Sequence, residues 1–300
     1  MYNFSQFVSK LYIFAETFFM KLYKTENGIF LVDGEKTHHC YNYRWDKLVN
    51  RDDLYDFLKD HSERHVGKDA AYFKERTIKA PINQQEIWAA GVTYLRSREA
   101  RMEEAKDTGG ADFYAKVYEA VRPELFFKST AGRCAGDSEA VYIRRDSNWN
   151  VPEPELTLFA TSSGKIVGYT IGNDMSSRDI EGENPLYLPQ AKSYDKSAAI
   201  GPCLYVPEKP IDLDTKIAME ILRSGEKVFS GTISINQMKR THEELIGFLF
   251  REMSFSHGVY LMTGTCLVPP NEFTLQLGDV VRISIDAIGT LTNTVSSCES

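Results

Sequence analysis

The alternation of apolar and polar residues predicts β-structure through the second half of the chain. Residues 156–160 form an apolar, β-prone run, residues 162–165 (Ser-Ser-Gly-Lys) form a turn signal, and residues 166–171 form a second apolar run. Two such runs joined by a short polar turn predict a β-hairpin. The same signals predict further short strands at 204–206, 217–222, 228–233, 263–267, 280–285 and 290–294.

Apolar residues at helical spacing occur in fewer places. They predict one helix within 52–65 and another at 238–250. Residues 95–105 and 113–120 are also helix-prone, and a Gly-Gly pair at 109–110 separates them. This broken segment fits either a lid hinged at the two glycines or a simple loop between two packed helices, and the sequence leaves both open.

These patterns predict an α+β fold that is mostly β, in three parts. Residues 20–80 form a small N-terminal domain with a strand-turn-strand around Asn27-Gly28. Residues 81–300 form the catalytic domain. We interpret residues 1–19 as a disordered extension or one created by start-codon choice, and we expect a variant lacking them to keep its activity. A soluble deletion variant without turnover would contradict that expectation.

The histidines favour structural roles at this stage. His61 and His65 lie four residues apart on a predicted helix, but no Glu follows His61 as it does in zinc proteases, so we interpret them as a solvated helix face. His38 and His39 are assigned to a polar loop for the same lack of a ligand pattern.

Composition narrows the class of protein. The chain has 300 residues, 42% of them hydrophobic, as in an ordinary globular enzyme. Its net charge of -7 offers no basic field for a nucleic acid. Charged residues interrupt every apolar run before about twenty residues, so no membrane helix is predicted. Five widely spaced cysteines without a Cys-x-x-Cys pair favour reduced thiols and a cytoplasmic location.

A group of acidic residues provides the strongest chemical signal. Glu153 and Glu155 are two apart, so an extended strand directs both side chains to one face, and the predicted hairpin brings Asp174 back beside them. Pro152 and Pro154 favour an edge or entry strand. An isolated Glu-x-Glu is most often a solvated strand face. Three carboxylates without His or Cys favour Mg²⁺, with Mn²⁺ or Ca²⁺ as alternatives.

Four separated motifs resemble the fumarylacetoacetate hydrolase superfamily over about 81–295. They are 121–128 (VRPELFFK), 152–156 (PEPEL), 168–179 (GYTIGNDMSSRD) and 262–265 (MTGT). Within that superfamily, 122–128 and 183–192 (ENPLYLPQAK) are most similar to the branch that dehydrates 2-keto-3-deoxy sugar acids. The resemblance implies a rolled β-sandwich with a small N-terminal domain, assembled as a homodimer or homotetramer.

The resemblance also implies roles for individual residues. Glu153, Glu155 and Asp174 match the metal carboxylates, and Lys192 matches the active-site lysine. Glu124 is the second candidate for acid-base catalysis, and which of the two is the base stays open. The residues expected to bind substrate are Thr265, opposite its carboxylate, together with Tyr94 and Arg98.

One departure from the family pattern helps to choose the reaction. Hydrolases of this superfamily carry a water-activating histidine three residues after the tyrosine of their Gly-x-Asn-Tyr motif, whereas this chain has Ser97 three residues after Tyr94. A serine without a proton-accepting partner is a poor base. We therefore expect metal-dependent dehydration of a 2-keto-3-deoxy sugar acid, such as 2-keto-3-deoxy-D-arabinonate, through a metal-stabilised enolate. The alternative is a hydrolase or decarboxylase of acylpyruvate-type or fumarylacetoacetate-like 2-keto acids.

Overall fold

The computed structural model describes residues 20–34, 36–69, 77–94 and 116–298. Strands dominate these ranges, as the sequence predicts. The strands are β1 (Met20–Thr25), β2 (Gly28–Asp33), β3 (Lys36–His39), β4 (Lys68–Asp69), β5 (Ile78–Lys79), β6 (Glu86–Gly91), β7 (Glu124–Thr130), β8 (Cys134–Ala135), β9 (Ala140–Tyr142), β10 (Asn150–Val151), β11 (Pro154–Ala160), β12 (Ile166–Asp174), β13 (Ser176–Ser177), β14 (Ala198–Val206), β15 (Lys216–Arg223), β16 (Glu226–Ser234), β17 (Val259–Met262), β18 (Val280–Ile285) and β19 (Gly289–Ser296).

The helices of the described ranges are short and lie at the ends and faces of the sheets. They are α1 (Trp45–Val49), α2 (Leu54–Arg64), α3 (Arg178–Glu183), α4 (Leu188–Lys192) and α5 (His242–Leu249), with 3-10 turns at Ala131–Arg133, Pro185–Tyr187 and Ile235–Gln237.

One large sheet spans the molecule. Its strand order in the described part of the chain is β4-β3-β2-β1-β14-β12-β11-β17-β6-β7, with β5 beside β1 and β8 beside β14. The antiparallel pairing of β1 with β14 joins the N-terminal segment to the later strands, since Met20 pairs with Val206. The predicted boundary at residue 80 stays a prediction, and this pairing crosses it.

The large sheet is buried on both faces. Because successive side chains of a strand point to opposite sides, each strand contributes residues to two cores. On β11, Leu156 and Leu158 face one hydrophobic core while Phe159 faces the other. The first core lies against the smaller sheet β16-β15-β18-β19-β9. The second core lies under α1 and α2, where Trp45, Leu54 and their neighbours cover the sheet. Two packed sheets with helices on one outer face form the predicted rolled sandwich.

Most predicted elements are present, with local differences that have physical causes. The hairpin of 156–160 and 166–171 is β11 and β12. The helix predicted from 238 begins at His242, because the Thr241 side chain accepts a hydrogen bond from the Glu244 amide and caps the helix there. The strand predicted at 263–267 is wrong. The paired strand is Val259–Met262, and Gly264 follows it with φ +95°, which is outside the strand region.

The histidines of the N-terminal segment form a histidine cluster, defined as His38, His61 and His65. The loop predicted at His38 is wrong, because His38 belongs to β3 and is 3% exposed. The solvated face predicted for His61 and His65 is confirmed for His65, which is exposed, and wrong for His61, which is buried. The His61 ring centroid lies 6.4 Å from that of His38 and 4.2 Å from that of His65. β3 pairs with β2, and this pairing brings His38 of β3 against His61 near the end of α2. The spacing of histidines along the sequence does not reveal this contact.

Burial also explains the cysteines. Cys134 and Cys203 are buried in the two cores, and desolvation raises the pKa of each thiol to about 12. Both thiols therefore stay protonated at neutral pH. Separately, the helices of the described ranges are all too short or too polar to form a membrane span.

Candidate metal centre and active site

The β11–β12 hairpin brings the predicted carboxylates together. Pro154 pairs with Asn173, and the Asp174 amide donates a hydrogen bond to the Glu153 carbonyl oxygen over 2.9 Å. The edge position inferred from the prolines is wrong, since β11 lies between β12 and β17 inside the sheet. Pro152 and Pro154 instead lie at the start of β11, where a missing amide donor interrupts no ladder.

The three carboxylates form a compact buried group. One oxygen from each of Glu153, Glu155 and Asp174 lies within 4.8 Å of the other two, and the residues are 2%, 2% and 1% exposed. Burial, together with the neighbouring charges of Asp174 and Glu153, raises the pKa of Glu155 well above its ordinary value. Burial is the larger cause, and the two neighbouring carboxylates add to it, so nearby cations favour the ionised form of the group.

Three buried cations surround this group. The Lys192 ammonium lies 2.6 Å from Glu153 Oε2 and 3.1 Å from Asp174 Oδ2, and it donates to Ser176 Oγ over 2.5 Å. Arg178 forms a short ion pair with Glu153 Oε1. Lys128 Nζ lies 2.6 Å from Asp174 Oδ1. We call these six side chains the carboxylate–cation cluster, namely Glu153, Glu155, Asp174, Lys128, Lys192 and Arg178.

Lys128 and Arg178 have no role predicted from the sequence. Arg178 is brought in because β10 and β13 resume the hairpin beyond Asp174, and the Arg178 amide donates to the Trp149 carbonyl over 2.7 Å. The β7 sequence does contain a signal for Lys128. Glu124 and Phe126 are alternate residues and share one face, but a register shift between β6 and β7 falls at Lys128, so alternation does not fix the face of that lysine. A lysine within an apolar strand nevertheless indicates a buried partner for its charge.

Glu155 is bound by the chain segment around Gly264, which packs closely against the segment around Thr93. The Gly264 amide donates to Glu155 Oε2 over 2.6 Å. A Cβ atom on Gly264 would lie 2.1 Å from Thr93 Oγ1, so only glycine fits between these segments. Val92, in the same segment, has φ +53°, a strained conformation for a β-branched residue. Strained backbone beside a buried carboxylate is typical of functional sites.

The remaining predicted residues lie around this group or outside the described ranges. Thr265 lines the cavity at the carboxylates and is 7% exposed. Tyr94 is buried, and its pKa is raised by burial and by the nearby Cys266 and Glu155. Glu124 is half-buried opposite Gly91 on β6, and Gly91 lines the cavity. Residues 95–115, which include Ser97, Arg98 and most of the segment predicted as a lid or loop, lie outside the described residues. Residues 116–119, at the end of that segment, are helical as predicted.

The cavity suits a hard divalent cation. Its lining includes the three carboxylates, Arg178, Lys192 and Thr265, together with backbone and apolar side chains of Ala90, Gly91, Val92, Phe126, Gly264 and Val268. The space in it for the centre of a water-sized sphere is about 20 Å³, which is enough to hold an ion beside the carboxylates. Carboxylate oxygens without sulfur or imidazole ligands favour Mg²⁺, Mn²⁺ or Ca²⁺ over Zn²⁺.

Comparison with known proteins agrees with this geometry. Residues 117–296 match the family described as "Fumarylacetoacetate (FAA) hydrolase C-terminal". The chain is 46% identical over 226 residues to a protein of Haloferax volcanii named "Probable 2-keto-3-deoxyxylonate dehydratase", covering 75% of this chain and 77% of that protein. It is 45% identical over 218 residues to the "2-dehydro-3-deoxy-D-arabinonate dehydratase" of Saccharolobus solfataricus, covering 71% and 72% of the two chains.

A solved structure extends the likeness to three dimensions. The structure described as "2-keto-3-deoxy-D-arabinonate dehydratase complexed with magnesium and 2,5-dioxopentanoate" superposes with a TM-score of 0.77 and 33% sequence identity, covering 94% of this chain and 100% of that chain. The sequence match, the shared fold and the buried acidic group agree with one another. The chain therefore belongs to the fumarylacetoacetate hydrolase family.

Proposed function

We propose that this protein is a metal-dependent dehydratase of a 2-keto-3-deoxy sugar acid. The observation that carries the proposal is the convergence of Glu153, Glu155 and Asp174 within 4.8 Å, beside Lys192, in a chain whose relatives with 45–46% identity are named as dehydratases of such acids. A pentonate derivative such as 2-keto-3-deoxy-D-arabinonate is the proposed substrate. Mg²⁺ is the proposed ion, as in the solved relative described above.

The proposed ligands are the three carboxylates. Mg²⁺ held by them would polarise the 2-keto group of a bound 2-keto acid and make its C3 protons more acidic. The chain's own residues supply the rest of the chemistry. The Lys192 ammonium is within hydrogen-bonding distance of two of the proposed ligands, Glu153 and Asp174. It would therefore lie beside a substrate oxygen bound to the same metal ion.

Two residues are proposed to move protons. Dehydration removes a proton from C3 and expels the C4 hydroxyl as water, so it requires a base and an acid. Lys192 lies inside the cavity, and Glu124 lies beside its wall across from Gly91. We propose these two for the pair of roles, with the assignment of base and acid left open between them.

Three further residues are proposed to bind the substrate. Thr265, which lines the cavity, is proposed to meet the substrate carboxylate, and Tyr94 and Arg98 are proposed as further substrate-binding residues. Phe126 and Val268 line the same cavity with apolar surface. Such surface excludes bulk water, which strengthens the electrostatic interactions of the site.

A direct assay tests this proposal. Purified full-length protein is incubated with a panel of 2-keto-3-deoxy acids, with Mg²⁺ or with EDTA, and products are identified by mass. We expect loss of one water molecule from at least one acid, and only with the metal. Cleavage of a carbon-carbon bond would favour the acylpyruvate hydrolase or decarboxylase alternative, and full turnover in EDTA would contradict the metal-dependent reaction.

A further inference from the structure

Lys128 is fully buried but does not line the cavity. Its exposed fraction is 0%, and its ammonium contacts Asp174 Oδ1, whereas the Lys192 ammonium contacts Asp174 Oδ2. An isolated buried ammonium group is strongly unfavourable, so its surroundings must compensate the charge. Those surroundings indicate what the residue does.

Three oxygen atoms surround the Lys128 ammonium. It donates hydrogen bonds to the Met175 carbonyl oxygen over 2.9 Å and to the Lys192 carbonyl oxygen, and it forms an ion pair with Asp174 Oδ1 at 2.6 Å. The ion pair and the two hydrogen bonds together compensate the buried charge. Each of the three contacts joins a part of the chain that contributes to the candidate site.

The first contact divides the oxygens of Asp174. Lys128 engages Oδ1, while Oδ2 faces Lys192 at 3.1 Å on the cavity side. A carboxylate held at one oxygen by a buried cation keeps a defined orientation for the other oxygen. Lys128 therefore presents Asp174 to the cavity in one orientation.

The other contacts connect two backbone segments. The Met175 carbonyl belongs to the end of the β11–β12 hairpin, whereas the Lys192 carbonyl belongs to the end of α4. Ser197 Oγ donates to the same Lys192 carbonyl over 2.8 Å. Lys128 thus links the hairpin that carries the carboxylates to the helix that carries the proposed catalytic lysine.

We propose that Lys128 is a positioning residue that couples divalent-metal affinity at Glu153, Glu155 and Asp174 to the placement of Lys192. This inference rests on the proposed metal-dependent function and adds a residue for which no role is assigned. Partners of metal ligands that lie outside the ligand set typically change metal affinity by about 10- to 100-fold when they are replaced.

The test measures Mn²⁺ binding, which does not require the substrate to be known. Full-length wild type, Lys128→Met and Lys128→Gln are titrated with Mn²⁺ by calorimetry and by the electron paramagnetic resonance signal of free Mn²⁺. We expect both variants to bind about 10- to 100-fold more weakly. At saturating Mn²⁺ they should also show a lower kcat, because the Lys192 carbonyl has lost a hydrogen-bond donor.

Lys196→Met provides the matched control. Lys196 is a half-buried lysine four residues from Lys192. Its ammonium contacts the Cys134 carbonyl oxygen and the Glu139 carboxylate, neither of which belongs to the carboxylate–cation cluster. The Mn²⁺ affinity of this control should stay within about threefold of wild type, a smaller change than the one of about tenfold or more expected for the Lys128 variants.

The outcomes separate the two proposals. Mn²⁺ affinity within about threefold of wild type in folded Lys128→Met would overturn the positioning role, because replacement of such a partner should cost at least about tenfold. Failure of both Lys128 variants to fold would also overturn it, because Lys128 would then be required for the fold as a whole. A wild-type protein that binds no Mn²⁺ would instead overturn the proposed metal-dependent function.

Discussion

The carboxylate–cation cluster and the histidine cluster both bury ionisable side chains, but they do so in different ways. In the first, every carboxylate lies beside a buried cation or a backbone amide donor. In the second, the rings lie near one another, and burial lowers the pKa of His38 and His61. Ion pairs and hydrogen bonds offset the burial of charge in the first region, whereas burial in the second favours the neutral form of His38 and His61. Loss of a partner should therefore damage the first, whereas a change of pH should damage the second.

The largest effect is expected from removing a carboxylate from the first region. Glu153→Gln and Asp174→Asn each delete a proposed metal ligand and leave the Lys192 ammonium with one charged partner fewer. We expect both Mg²⁺ binding and turnover to be lost, with turnover falling by about 10³-fold or more. Calorimetric titration and the dehydration assay measure the two quantities.

Asp195→Asn is the control for these variants. Asp195 is an exposed carboxylate whose ion pair with Arg133 spans 4.0 Å, and it lies three residues from Lys192 in sequence. Its replacement should leave both quantities close to wild type. Full activity in either ligand variant would contradict the proposed metal site.

A second variant separates chemistry from metal binding within the same region. Glu124→Gln removes a proposed acid or base but none of the three carboxylates. We expect unchanged Mg²⁺ affinity and a decrease in turnover of about 10²- to 10⁴-fold. Glu119→Gln, at an exposed glutamate paired with Lys239, is the control. Unchanged turnover in Glu124→Gln would remove this residue from the proposed mechanism.

A pair of glycines tests geometry rather than charge. Gly264 and Gly278 have φ values of +95° and +87°, but a Cβ atom would be 2.1 Å from Thr93 Oγ1 at Gly264 and would meet nothing within 4 Å at Gly278. Backbone strain from alanine should be similar at both positions, about 1 kcal/mol. Gly264→Ala should lose about 1–3 kcal/mol more stability from overpacking. It should also weaken Mg²⁺ binding, since relief of the clash with Thr93 shifts the residue 264 backbone amide away from Glu155 Oε2.

Chemical denaturation of the two variants compares their stabilities. Equal free energies of unfolding would show that the close approach to Thr93 is not a constraint.

The smallest expected effect concerns the histidine cluster. The unfolded chain binds protons at His38 and His61 near pH 6.5, whereas in the folded protein burial shifts both pKa values lower. Between these values the unfolded state holds more protons, so the free energy of unfolding falls as the pH falls below about 6.5. Melting temperatures between about pH 8 and about pH 5 should show this loss.

Substitution of one ring tests the cause. His61→Phe removes one of the titrating groups from a site already lined by Tyr43 and Phe57, so the decline in melting temperature below pH 6.5 should become shallower. His257→Gln, outside the histidine cluster, is the control. An identical pH profile in His61→Phe would assign the decline to other groups.

The alternation of side chains along a strand, with the predicted hairpin, was enough to predict that the three carboxylates lie together. Glu153 and Glu155 share a face because strand side chains alternate, and the hairpin turn at 162–165 sets where Asp174 returns. The predicted convergence of the three carboxylates is present. Their roles as ligands stay predictions.

Contacts between distant segments account for what the sequence did not predict. Lys128 meets Asp174 only because β7 and β12 are brought together by other strands, and His38 is buried only because α2 packs over β3. The strand predicted at 263–267 was wrong because Gly264 adopts a positive φ to approach Thr93, a requirement that becomes visible only with both segments in place. Tertiary contacts of this kind are not encoded in local spacing.

The pairing of β1 with β14 has a consequence for how the chain is made. β1 emerges early from the ribosome, but its partner strand at Ala198–Val206 follows only after well over half of the chain has been synthesised. Until then β1 can pair only with β2 and β5, so the edge at Met20–Leu22 that later pairs with β14 stays open. Translation of a fragment that begins after β1 would leave Leu204–Val206 as an open edge, inviting aggregation with other nascent chains.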